Sequence, residues 1–390
     1  SEAVKLLLAD FKKKTGIDVI VDTKPYEEIY DEIWSHRKSA LYDVYSVDIP
    51  WLTDFVSSNM LVCLDDLYNN SKEYFERFPE DVLAKYAKIG NHFYGVPYSF
   101  TIQLLFYRRD LFNKLENQRL HYEWYKEPLK VPSTWEEFNK VAKLFTRKYN
   151  PNSDTEYGVT LGGRKASGAV NEYLPRLFSF GGNIFDQNRA TIGDKRSVEA
   201  LKNYVESYKY ANVEATNWWW DEQVKEFSSG NVAMMIMYTE HVSTLEDKRF
   251  SKIVGKTECA ILPEKYSVLG GWSLGINPKS KRIKESHEFM KWLSSYDLLG
   301  PNAALGRVLP IRDEEYRGQI DKVYSWFETA WEAYKYTKTR TVPYVDGMSL
   351  ITEAEMEAIV GGAVHGAVNG DMTVVQALVE ANQKLKDILK

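Results

Sequence analysis

Asp43-Val44-Tyr45-Ser46-Val47-Asp48-Ile49-Pro50-Trp51 is the stretch from which the fold is read. Its first six residues have strand composition, and Ile49-Pro50 ends the run, because a residue before proline is held extended and proline removes a backbone donor. Trp51–Ser58 then has helical spacing. Upstream, Tyr26–Lys38 reads as a helix, and Ile17, Val19 and Val21 alternate like a strand. Before them, Val4, Leu7, Leu8 and Phe11 form a helical stripe stopped at Thr15-Gly16, where glycine suits the left-handed position after a helix. The order helix, strand, helix, strand, helix predicts an α/β architecture with a mainly parallel sheet.

Downstream the alternation continues. Tyr94-Gly95-Val96-Pro97-Tyr98 precedes the apolar run Ile102–Tyr107. Ser133-Thr134-Trp135-Glu136 reads as a capping box after Pro132, and Phe138, Val141, Ala142 and Phe145 follow at helical spacing. Val232–Tyr238, Glu258–Pro263 and Ser273–Asn277 read as strands, and Val198–Tyr208 and Ile283–Ser295 as helices. A second capping box, Thr373-Val374-Val375-Gln376, opens the last helix. No repeat or low-complexity linker interrupts the chain, which predicts two intimately connected lobes rather than two domains on a flexible tether.

The bulk properties bound the function. The 390 residues are 44% hydrophobic and 27% charged, enough to bury a sizeable core. A net charge of −5 argues against a nucleic-acid partner, which usually leaves a basic excess. The densest basic run, Lys12-Lys13-Lys14, reads as a solvated helix end. No apolar run has the length of a membrane span, and no signal-peptide pattern opens the chain. Cys63 and Cys259 lack any CxxC spacing, which argues against a cysteine-based zinc site, and they read as two small buried thiols, with a single disulfide between them as the alternative. Most of the 11 Trp, 26 Tyr and 17 Phe belong in the core, because large rings dominate packing, but a protein with an aromatic-lined pocket would have such a composition.

Searches for catalytic or metal-binding patterns fail. None of the six histidines (His36, His92, His121, His241, His287, His365) has zinc-site spacing, and there is no phosphate loop or GxGxxG. Ser35-His36-Arg37-Lys38 and Lys14-Thr15-Gly16 match two elements of penicilloyl-serine enzymes, but in the wrong order and without Ser-Asp-Asn. The expectation is a protein that is not an enzyme and that carries no cofactor and no metal.

Taken in sequence order, the motifs resemble the family 1 extracellular solute-binding proteins, the maltose-binding-protein-like group. The resemblance rests on Phe11–Val19, on Tyr42-Asp43-Val44 through Asp48 and Trp51 to Leu64-Asp65-Asp66-Leu67, and on Tyr94–Tyr98 followed by Leu105–Phe112. Pro132–Phe138, Phe227-Ser228-Ser229-Gly230-Asn231-Val232-Ala233-Met234 and Gly270-Gly271-Trp272-Ser273-Leu274 complete it. It implies a two-lobed periplasmic-binding-protein-like fold of type II, with crossings near Asp110, Pro263 and Arg312. Lobe 1 would comprise residues 1–109 and 264–312, lobe 2 residues 110–263 and 313–390, and the ligand cleft would lie between them. The family normally opens with a strand before the first helix. This chain starts inside that helix, so a ligand-sensing domain within a larger regulatory protein is the alternative to a transport role.

The implied function is extracytoplasmic capture of a carbohydrate, an oligosaccharide above all, by lobe closure, as a monomer that serves the membrane subunits of an ABC permease. A glycoside-acting enzyme is the remaining reading. Sugars need flat apolar faces and a few fixed polar groups. Trp272, after two glycines, is the first candidate. Asp48 and Trp51 flank a strand end, where open α/β sheets place ligands. Tyr98 and Phe100 follow the Gly-Val-Pro turn. Trp218-Trp219-Trp220 puts three indoles in a row; a helix does not bury three successive residues on one face, and Trp220 is taken as the one that turns to the ligand. Tyr238 and Glu240 end the Ala-Met strand, Arg307 precedes Val308-Leu309-Pro310, and Tyr344 is placed by resemblance near the second lobe's part of the cleft.

Overall fold

Two long strands carry the chain between its two halves: Val96–Arg108 and Ser267–Ile276. A computed structural model describes residues 2–76, 78–295 and 326–390. Their contacts divide the chain into two compact units, the first built from Ser1–Thr101, Gly270–Phe327 and Tyr344–Ser349, the second from Ile102–Leu269, Glu328–Pro343 and Leu350–Lys390. The first two divisions fall inside the two long strands. Of the crossings that the resemblance implies, Arg312 lies outside the described residues, as does the candidate Arg307.

In the first unit, Glu2–Thr15 is a helix, stopped as expected at Gly16, whose φ is +75°. Residues 17–21 form no strand. Their side chains alternate in exposure, but the backbone has no ladder partner among the described residues, and Ile20 is fully exposed. Tyr26–Ser35 is the second helix, and Val44–Asp48 is the strand read from the opening stretch. It ends in the tight turn Ile49–Trp51, which leads into the helix Leu52–Ser57. The strand pairs antiparallel with Ser267–Ile276, and Asp48 lies opposite Trp272. A core of Ile33, Tyr45, Val47, Trp51, Leu52, Phe55, Met60 and Leu61 forms beneath.

The second unit centres on Val232–Tyr238, buried along its whole length, as a strand covered on both faces should be. It pairs parallel with Tyr157–Thr160 and antiparallel with Gln103–Tyr107 of the first long strand. Thr257–Ala260 also runs antiparallel to that strand. The mainly parallel sheet is therefore corrected: the described registers are mixed, because strands distant in sequence return in either direction. The capping box before Trp135–Leu144 is displaced by one residue. Thr134 accepts from the Glu137 N–H at 3.1 Å, and Glu137 accepts from the Ser133 N–H at 2.8 Å. Burial alone would raise the Glu137 pKa, but Lys130 and Ser133 outweigh it and bring it down to about 2. At the last helix Thr373 caps the Gln376 N–H, while the Gln376 amide turns to Glu380. Gly361, in the helix Glu353–Asn369, packs so tightly that a Cβ there would lie 2.4 Å from the Ala166 carbonyl oxygen. Buried Arg340 pairs with Glu353 and, at 3.1 Å, with Glu357 of that helix.

Candidate functional site

Gly271 shapes the first unit's aromatic face. Its φ is +129°, and a Cβ would sit 2.3 Å from the Ser99 carbonyl oxygen, so only glycine fits. The backbone turn presents Trp272, which stays half-buried. Its ring meets Trp51 edge-on at 5.7 Å and Tyr26 at 5.8 Å, and Tyr26 lies 5.5 Å from Trp51. Such tilted and edge-on pairs suit the quadrupoles of aromatic rings. The Tyr26 hydroxyl donates to Asp48 Oδ2 at 2.6 Å. The sequence-predicted Trp272, Asp48 and Trp51 are thus brought together, joined by Tyr26. Trp51 is only 3% exposed and backs the patch; Asp48, 7% exposed, anchors the Tyr26 phenol.

Tyr26, Tyr30 and Asp54 escaped the sequence reading. The signal was available: Tyr26, Tyr30 and Trp34 recur at four-residue intervals, one aromatic stripe along the helix Tyr26–Ser35. Tyr30 stacks on Trp34 at 5.7 Å, and its hydroxyl donates to Asp54 at 3.1 Å. Asp54 also accepts from Ser349 at 3.2 Å, and the Ser349 N–H donates to Ser57 at 2.8 Å. These bonds seat the hairpin of Tyr344–Val345 and Met348–Ser349 on the helix Leu52–Ser57. Tyr344, 46% exposed, therefore belongs to the first unit and not to the lobe that the resemblance implied. Tyr98 is half-buried, and burial pushes its phenol up to about 12, so it serves as a neutral hydroxyl. Phe100 is sealed in the core.

In the second unit the three successive indoles avoid the one-face limit because only Trp220 is helical; Trp218 and Trp219 are extended, before the helix Trp220–Ser228. Trp219 and Trp220 are both buried, and Trp218 is half-buried against the large core. Trp220 lies 4.7 Å from Trp219 and 5.4 Å from Tyr238. The Tyr238 hydroxyl donates to Asn171 Oδ1 at 2.8 Å, and the Gln103 amide donates to the Asn171 carbonyl at 3.0 Å. Glu240, half-buried, follows the strand beside His241, whose pKa is lowered chiefly by desolvation. Next to Asn171, fully buried Glu172 has its pKa raised to about 8 by burial, against the pull of the Arg176 guanidinium. Burial thus pushes Glu172 toward its neutral form.

This chemistry suits recognition. The first unit offers ring faces with hydroxyl and carboxylate handles, and its carboxylates Asp48 and Asp54 already accept tyrosine hydroxyls. No described helix is long and apolar enough to cross a membrane.

Comparison with known proteins agrees. A solved maltose-bound protein of T. maritima (MalE3) superposes with a TM-score of 0.84, covering 99% of this chain and 96% of that one at 22% identity. A ribitol complex of an ABC transporter solute-binding protein from Agrobacterium radiobacter superposes with a TM-score of 0.83 over 99% and 95%, at 21% identity. These likenesses establish the two-lobed binding-protein fold. In sequence, a probable amino-acid ABC transporter periplasmic-binding protein of Sinorhizobium fredii is 25% identical over 80% of this chain and 72% of its own length. The profile for bacterial extracellular solute-binding proteins matches residues 1–297. With these matches added to the fold, the chain belongs to the bacterial extracellular solute-binding proteins, the ligand-binding components of ABC transporters.

Proposed function

We propose that this protein captures a carbohydrate, with oligosaccharides the leading class, on the aromatic face that Trp272 presents. It does so outside the cytoplasm, as a monomer without chemistry of its own, and hands the ligand to the membrane subunits of an ABC permease. The observation that carries this reading is the pairing of a half-buried indole with a carboxylate-anchored phenol, Trp272 with Tyr26 and Asp48. Sugars need this combination: an apolar C–H face stacks on the ring while hydroxyls meet oriented polar groups. Maltose and ribitol bound to two similar structures support it.

Capture by closure of the two units requires the ligand to bind the closed form more tightly than the open one. The radius of gyration in solution should then fall when ligand is added.

An amino acid is the competing ligand, since the Sinorhizobium fredii relative bears that name. Calorimetric titration of the full chain against oligosaccharides, monosaccharides, polyols and amino acids separates the two. Saturable one-to-one binding of a sugar without turnover supports the proposal. Binding of an amino acid with no response to any sugar or polyol removes it.

A further inference from the structure

The loop after the helix Leu52–Ser57 approaches the small hairpin of Lys88–Ile89 and His92–Phe93, and three metal-ligating side chains meet there. Cys63, Asp65 and His92 each place one ligand atom so that all three lie within 4.8 Å of one another. His92 Nδ1 is 2.7 Å from Asp65 Oδ2. Cys63 is an exposed free thiol, which corrects the expectation of two buried ones; Cys259 is half-buried. We propose that Cys63, Asp65 and His92 bind a zinc ion, with water completing the coordination.

The two ligand-bearing segments are fastened to each other by more than the contact of His92 with Asp65. The Leu64 N–H donates to the Phe93 carbonyl at 2.7 Å, and the Phe93 N–H donates to Asp65 Oδ1 at 2.8 Å. Tyr68 stacks on Phe93 with ring centres 3.6 Å apart, and its hydroxyl donates to the Gly95 carbonyl at 2.8 Å. The frame brings Cys63 and His92, one on each segment, close to Asp65. It also engages one oxygen of Asp65 and leaves the other for a monodentate metal bond, as outer-shell partners do in zinc sites.

The chemistry selects zinc. One thiolate, one imidazole and one carboxylate form a borderline-soft donor set, and the two anionic ligands balance the charge of a divalent ion. Ligands at about 2.0–2.3 Å from a tetrahedral ion lie about 3.3–3.6 Å from each other. The imidazole–carboxylate contact therefore opens by about 0.6 Å when the ion replaces the proton between them. The exposed His92 ring can make that move, since 61% of its side chain faces solvent. The Cys63 thiol proton leaves to solvent on binding, so affinity falls with acid.

The test uses the reduced full chain. Zinc competition against a chromophoric chelator should show one equivalent bound, and Co²⁺ substitution should show a thiolate-to-cobalt charge-transfer band. Cys63→Ser should abolish the band, and Cys63→Ser and His92→Ala should each weaken zinc by at least about tenfold. Cys259→Ser should bind as the native chain does. Asp65 is left intact because it holds Phe93, and thermal melts verify that the variants fold. A cobalt complex without the charge-transfer band, or zinc affinity unchanged by either variant, overturns the proposal.

Discussion

The two units each gather aromatic rings, but to different ends. In the first, Trp272 and Tyr26 stay half-buried over Trp51, and Asp48 holds the phenol in place. In the second, Trp219, Trp220 and Tyr238 are nearly sealed, and Tyr238 spends its hydroxyl on Asn171. One cluster keeps a ring face available with a polar handle beside it; the other spends its rings on packing. Counting tryptophans does not distinguish them, since the run of three lies in the sealed cluster. On the proposed reading, partial exposure next to an oriented polar group marks the recognition surface.

Four substitutions break or sharpen this contrast. Trp220→Ala should have the largest effect, a stability loss of about 3–5 kcal/mol from an emptied core site, read by denaturant unfolding. Trp272→Ala should reverse the pattern: a stability change under about 2 kcal/mol, with ligand affinity weakened roughly 30- to 150-fold. If Trp220→Ala leaves stability intact while abolishing binding, the assignment of the two clusters is inverted.

Glu172→Gln tests the buried acid of the second unit. The folded pKa of about 8 lies above the unfolded value of 4.5, so the acid's stabilising contribution is complete below pH 4.5 and is lost as pH rises to 8. The variant should match the native chain at pH 4.5 and exceed it by about 4 kcal/mol at pH 9, in melts across that range. Equal stability at both pH values would show that Glu172 is not held neutral. Tyr26→Phe, the smallest change, removes the bond to Asp48 and should weaken ligand by about tenfold with little loss of ring packing. An unchanged affinity would detach the phenol from recognition.

Local chemistry made much of this legible. Pro50 ended the strand it was expected to end, Gly16 stopped its helix, and Gly271 released Trp272. What was misread depended on partners distant in sequence. Ile17, Val19 and Val21 have a strand's alternation, yet a strand also needs a ladder, and none reaches them among the described residues. Strand direction followed pairs such as Val44 with Ile276, more than two hundred residues apart. The Tyr344 hairpin is placed by Ser57 and Asp54, for which its own sequence carries no sign. The same holds for Cys63 and His92: their spacing matches no metal motif, and a backbone bond between Leu64 and Phe93 brings them together. Tyr26 and Tyr30 are the omissions that a helical-period count would have recovered.

A crystal structure of the full chain with the tightest-binding member of the ligand panel tests the central claim most directly. The account predicts a sugar whose C–H face lies within about 4 Å of the Trp272 indole, with a hydroxyl bonded to Tyr26 or Asp48. A ligand bound away from Trp272, or an amino acid held by charged groups alone, would contradict it.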